Sequence, residues 1–230
     1  MNPLRDLYRL LFPPLCTYCH RELADGEEVL CTHCAAQLAR IHDVAPGNPA
    51  ERREKLRFPF IRGAAFCYYH HHTVAAEVIK AAKYRARPSC NAYLTRLFLP
   101  ELEAAEWLGD VDVIVPVPIH WLRRLSRGYN QAEPIARTLG ERWGIRVDTK
   151  SLRKVHYRVS RLQERKRLSY GLKAPRSNPF RVVTPERLTG CHVLIVDDVH
   201  TAGTTLNECA EALLQVPGVR LSFLTLGLAL

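Results

Sequence analysis

No stretch of this 230-residue chain is apolar for the length a membrane span needs. The first twelve residues carry Asp6 among short apolar pieces and lack the continuous apolar core of a secretory leader. Both absences predict a cytoplasmic chain without membrane insertion. Acids are scarce where bases are dense. Residues 150–176 hold ten Lys or Arg against one acid, Glu164, a net +9 that leaves +1 of the chain's formal +10 for everything else. Such a concentration marks an anion-binding surface rather than general solubilisation. Aromatic side chains that would stack on bases are sparse there, with only Tyr157 and Tyr170.

What is present is organised around residues 193–205, V-L-I-V-D-D-V-H-T-A-G-T-T. Four apolar residues, 193–196, suit a strand buried on both faces. Asp197 and Asp198 close the run. Thr201, Ala202, Gly203, Thr204 and Thr205 form a small-residue loop, and Leu206, Cys209, Ala210, Leu213 and Leu214 then recur at helical spacing. Strand, acidic pair, loop and helix make a ligand site at the carboxyl end of a parallel strand. A loop of this composition lets backbone N–H groups approach a phosphate, and the helix N-terminus adds partial positive charge. It lacks the Lys of a Walker A loop, which argues against a nucleoside triphosphate. The two carboxylates can accept hydrogen bonds from ribose hydroxyls. The ligand indicated is a ribose 5-phosphate unit.

Eight cysteines are present, and four fall into two C-x-x-C pairs eleven residues apart, Cys16/Cys19 and Cys31/Cys34. Two such pairs complete a closed, structural four-thiolate zinc site, with Asp25-Gly26 as the turn of a ribbon hairpin. His20 and His33 lie close enough to replace a cysteine. The single cysteines read as buried apolar residues. Residues 4–11 have helical spacing and end at Pro13-Pro14. Residues 43–60, with four prolines or glycines among charged residues, read as a linker. Helix and strand patterns then alternate: strands at 61–69, 111–115, near 145–147, 188–199 and 219–228; helices at 73–86, 91–107, from about 130, and 204–216. This alternation predicts a mostly parallel sheet flanked by helices. His70, His71 and His72 read as a polar turn, since neighbours on a strand point different ways. Lys80, Lys83 and Arg85 cluster at the end of the first of these helices, where they can meet an anionic ligand. Between strand 111–115 and the helix from 130, P-V-P is followed by a loop holding Arg123, Arg124 and Arg127.

Residues 193–205 resemble the PRPP-binding motif of type I phosphoribosyltransferases. That resemblance implies that Asp197 and Asp198 face the ribose, that residues 201–205 hold the 5-phosphate, and that the loop with Arg123, Arg124 and Arg127 holds pyrophosphate. The order of cysteine pairs, A-A-K-Y-R, P-V-P, R-G-Y-N-Q and the PRPP motif further resembles the ComF competence-protein family, over nearly the whole chain. It implies an α/β, type I phosphoribosyltransferase-like domain at 61–230, a small zinc-ribbon-like module at 1–42, and a linker at 43–60. It also implies a role in natural competence, with single-stranded DNA and other competence proteins as partners. Residues 150–176 occupy the position of the loop that covers the active site in phosphoribosyltransferases, but depart from the family pattern. Ser160 and Gln163 stand where a Thr and Gln are expected, and no Arg…Asn pair falls clearly ahead of Phe180. In this segment Arg158, Arg161, Arg165, Lys166 and Arg167 are the nucleic-acid candidates. Two function classes follow. One is a PRPP-binding protein that handles incoming single-stranded DNA. The other is an active phosphoribosyltransferase, in which Asp197 and Asp198 would be the catalytic pair, Mg2+ would bridge the pyrophosphate, and the acceptor is unassigned.

Overall fold

A computed structural model describes residues 12–53, 56–85, 87–156 and 178–230. The helix expected over 4–11 lies outside them, as do Arg158, Arg161, Arg165, Lys166 and Arg167. The cysteine hairpin comes first and leads into a single helical turn, α1 (Thr32–Ala35). After β1 (Gly63–Tyr69), the Thr73 side chain accepts the Ala76 N–H at 3.3 Å and opens α2 (Val74–Tyr84). Helix α3 (Pro88–Ala104) starts on a proline, where the missing N–H removes no helical bond. Next come β2 (Val113–Pro116), α4 (Trp121–Arg127), α5 (Ala132–Trp143), β3 (Arg146–Val147) and β4 (Leu152–Lys154). The described chain resumes before β5 (Phe180–Val182) and continues through β6 (His192–His200), α6 (Thr204–Leu213) and β7 (Arg220–Ala229).

Five strands form one parallel sheet in the order β1-β7-β6-β2-β3. The alternation of strand and helix patterns therefore means what it predicts: a mostly parallel sheet with helices on its faces. Strand β6 lies inside the sheet, and residues 193–196 are fully buried. Leu194 and Val196 pack on one face with Ile79, Phe98 and Ile135; Val193 and Ile195 pack on the other with Phe223, Leu206 and Leu213. Gly63 is required by this packing. A Cβ there would stand 2.1 Å from the Phe223 ring.

The register of β1, β7 and β6 is unbroken, but pairing skips one level: Ala65–Thr225 is followed by Cys67–Gly227, and Asp197–Thr225 by Val199–Gly227. Phe66 and Cys67, though adjacent, pack in the same cluster. The Cys67 thiol donates to the Leu226 carbonyl at 3.0 Å at this level, which is also the level of Asp198.

Strand β6, expected over 188–199, runs from His192 to His200, carries Asp197 and Asp198 within it and pairs with β7 along its length. One expectation needs correction. The stretch holding Arg123, Arg124 and Arg127, expected as loop, is helix α4. The His120 side chain caps its start by accepting the Leu122 N–H at 3.3 Å, and Gly128 ends it in the left-handed region at φ 81°. Strands β4 and β5 form a separate two-stranded antiparallel ribbon, too short for a period-2 pattern to register in the sequence.

The described residues of the stretch 43–60 make contacts along the sheet. Asn48 donates to the Gly63 carbonyl at 2.7 Å, Glu51 accepts the Gly63 N–H at 2.7 Å, and Arg53 donates to the carbonyls of Thr201 and Ala229. Cys16, Leu30, Cys31 and Cys34 belong to the same apolar cluster as Phe66 and Phe98.

Candidate ligand site

The site is built where β6 hands over to α6. Asp198 is buried, and Lys83, near the end of α2, reaches its Oδ2 at 2.9 Å. The Asp198 N–H donates to Asp197 Oδ1 at 2.8 Å, which fixes the first carboxylate against the backbone. Burial pushes the Asp197 carboxyl up, and the Asp198 charge adds to that, bringing it to about 7 although Lys83 and Lys154 pull the other way. Burial opposes the charge on Lys83, but Asp198 and then Asp197 outweigh it and hold that ammonium above its ordinary value. Lys154, on β4, lies with its ammonium 4.7 Å from the Phe180 ring centroid; burial first, and Arg123 among its neighbours, lower its value. Two carboxylates thus face two lysines from different elements. Lys83 was one of three cations the sequence grouped on α2. Lys154 was missed, since its approach depends on the β4–β5 ribbon.

The small-residue loop follows directly. Gly203 takes the left-handed conformation at φ 72° and stands at the N-cap of α6, where no side chain caps the first turn. Any other residue would be strained there. The first N–H groups of a ten-residue helix are therefore left to an incoming acceptor. Thr201 and Thr204 are exposed beside them. Arg53 donates to the Thr201 carbonyl at 3.1 Å, a tie across 148 residues that the sequence does not signal.

Of the three candidate arginines, Arg124 pairs with Glu133 at 3.1 Å and Arg127 lies over the Tyr84 ring at 5.6 Å. Arg123 is the one whose charge reaches the site, where it acts on Lys154 and His120. The R-G-Y-N-Q stretch is a brace. The Tyr129 hydroxyl donates to the Ala82 carbonyl, and Asn130 donates to the Val117 carbonyl at 3.0 Å. Burial, then the charges of Cys90 and Asp198, push the Tyr129 hydroxyl up to about 12, which keeps it a donor. It ties the loop after β2 to the helix that supplies Lys83.

His200 ends β6 with neither ring nitrogen hydrogen-bonded, buried against Phe223. Burial, and secondarily Arg53, lower it to about 4, so the ring is neutral. His192, equally buried at the other end of the strand, is satisfied by the Asp110 carbonyl and the Ser222 hydroxyl.

At the other end of the described chain, the four cysteines converge as their spacing predicts. Their Sγ atoms all lie within 4.8 Å of one another and form no disulfide. Cys19 and Cys31 are 3.8 Å apart at sulfur, about the S–S separation of a tetrahedral Zn–S4 centre with ~2.3 Å bonds. The Cys31 N–H points at Cys16 Sγ at 3.4 Å. Burial opposes ionisation of Cys16, but N–H groups of Cys19, Cys31 and Tyr18 outweigh it and bring the thiol to about 6; burial first, and the neighbouring sulfurs, raise Cys34. The donor set fits a soft divalent metal such as zinc.

Fold and side chains together define a parallel α/β protein with an acidic pair near a strand terminus and an N-terminal four-cysteine cluster. No protein-family model matches the chain. It is homologous along most of its length to the DNA utilization protein YhgH of Salmonella typhimurium strain LT2, 29% identical over 224 residues, covering 90% of this chain and 93% of that one. Escherichia coli K12 YhgH matches to the same extent. Competence protein F of Haemophilus influenzae is 26% identical over 204 residues, 86% of this chain and 83% of its own. The ComF resemblance read from the motifs is thus met by named homologues. Among solved structures, glutamine phosphoribosylpyrophosphate amidotransferase from B. subtilis, complexed with ADP and GMP, matches with a TM-score of 0.40 and 18% identity, over 65% of this chain and 30% of that one.

Proposed function

We propose that the chain binds PRPP, or a related ribose 5-phosphate, at the end of β6, and that it serves DNA utilization or competence by handling single-stranded DNA in the cytoplasm. One observation carries the ligand reading. The Asp197/Asp198 pair, with the buried Asp198 held by Lys83, leads directly into a left-handed Gly203 and a helix start left uncapped. In this reading residues 201–205 hold the phosphate, the carboxylates accept the ribose hydroxyls, and Arg123 meets the pyrophosphate. Carboxylate oxygens also suit Mg2+ arriving with the pyrophosphate, and the cysteine cluster holds zinc. The role in DNA handling rests on the names of the homologues and on the +9 of residues 150–176.

The nucleic-acid half is tested by oligo(dT) affinity against salt. Replacing Arg161, Arg165, Lys166 and Arg167 by Ala is expected to flatten the log–log slope by up to about three units, at roughly 0.7 per phosphate contact. An unchanged slope and affinity would remove that half. Pyrophosphate release from PRPP in the presence of nucleobase acceptors would instead move the transferase reading ahead.

A further inference from the structure

Beside the ligand site, and sharing Lys154 with it, lies an open trough of about 600 Å³ between α4 and the start of β4. Its walls are Ile119 and Trp121 on one side and Lys150, Arg153 and Val155 on the other. Among the described residues, no carboxylate lines it. Arg124, also on its rim, is held by Glu133. Trp121 is 65% exposed, an unusual state for the largest apolar side chain, and Leu125, one turn on, is 79% exposed. The other two tryptophans are covered more: Trp107 is buried and Trp143 half-buried.

The trough is rigid on both sides. His120 is buried and lies behind Trp121, ring centroids 5.7 Å apart at 37°. The turn bearing Lys150 is fixed by the buried Asp148, whose Oδ1 accepts the N–H groups of Lys150 and Ser151 at 2.8 Å each. Its Oδ2 accepts the Ser151 hydroxyl at 2.7 Å and Arg187 at 3.0 Å. An exposed aromatic held in place among cations, with no acid opposite, suits a ligand with both a flat apolar face and negative charge. A strand of nucleic acid alternates those two features along its length. An acidic polypeptide supplies only the second.

The geometry points to a single-stranded nucleic-acid subsite here: a base stacks on Trp121 and the adjoining phosphates meet Lys150 and Arg153. This rests on the DNA-handling reading and specifies where a base is gripped. It adds an aromatic platform to a segment, 150–176, whose own aromatics are only Tyr157 and Tyr170.

The test is oligo(dT) titrated into the full chain, followed by tryptophan fluorescence and by a labelled-oligonucleotide assay. Trp121→Ala is expected to weaken binding roughly ten-fold with the salt slope unchanged, since stacking releases no counterions. Trp121→Phe should restore most of the affinity while abolishing the fluorescence quench. Lys150→Ala with Arg153→Ala should lower the slope by about 1.4. Leu125→Ala, on the same helix, should bind as wild type does. The inference is overturned if Trp121→Ala binds with wild-type affinity, or if polyglutamate quenches Trp121 and displaces the oligonucleotide at equal charge. If the wild-type chain binds no oligonucleotide, the DNA-handling reading fails as well. If it binds and only the Arg161/Arg165/Lys166/Arg167 variant is impaired, this subsite alone is wrong.

Discussion

Replacing Asp197 by Asn should make the protein more stable at neutral pH, by an amount that depends on pH. The wild-type carboxyl sits at about 7 in the fold against 3.8 for an ordinary aspartate. A folded-state value above the unfolded one means that the folded chain holds the extra proton between about pH 4 and 7. Stability from this residue is therefore complete below about pH 4 and is lost as the pH rises through 7. Three units at about 1.4 kcal/mol each set a ceiling of roughly 4 kcal/mol. Asp197 keeps some solvent contact, so about 2 kcal/mol is the better expectation. Asn keeps the oxygen that accepts the Asp198 N–H at 2.8 Å and never carries the charge. The assay is urea unfolding of both proteins at intervals from pH 5 to 8.5, where the difference cancels the titrating groups remote from Asp198 and Lys83. The advantage of Asn should grow with pH and level off above about 7.5. Parallel curves, or an Asn variant that is weaker at pH 8, would refute the reasoning.

Zinc should co-purify at one ion per chain and fall below that in Cys31→Ser, measured by metal analysis with thiol titration. Because Cys16, Cys31 and Cys34 share a cluster with Phe66 and Phe98, chelation should lower the melting temperature of the whole chain. Gly63→Ala should cost about 1–3 kcal/mol in urea unfolding, since its Cβ would meet the Phe223 ring at 2.1 Å.

Much of this architecture was legible because the signals were local. Residues 193–196 are apolar without interruption, and only a strand covered on both faces can bury them. The cysteine spacing fixed the cluster, since two tight turns bring four sulfurs together in almost any ribbon. The missing parts are those set by distant partners. The short helix α4 buries none of its residues, its Trp121, Leu122 and Leu125 included, so no packing against the core sets it apart. Lys154 and Arg53 reach the site from strands and segments whose positions depend on the whole fold. The arginines near P-V-P were visible as a group, but Glu133 and Tyr84, which turn two of them aside, were not.

The central claim is that β6 and α6 form a PRPP site, and calorimetric titration of PRPP with Mg2+ into the wild-type chain, Asp198→Asn and Gly203→Val tests it most directly. Asp198→Asn removes the charge that pairs with Lys83 at 2.9 Å, and Gly203→Val forces a branched side chain into a backbone at φ 72°. One binding event per chain is expected in the wild type and none in either folded variant. Wild-type affinity in both variants, or no PRPP binding by the wild type, would contradict the account.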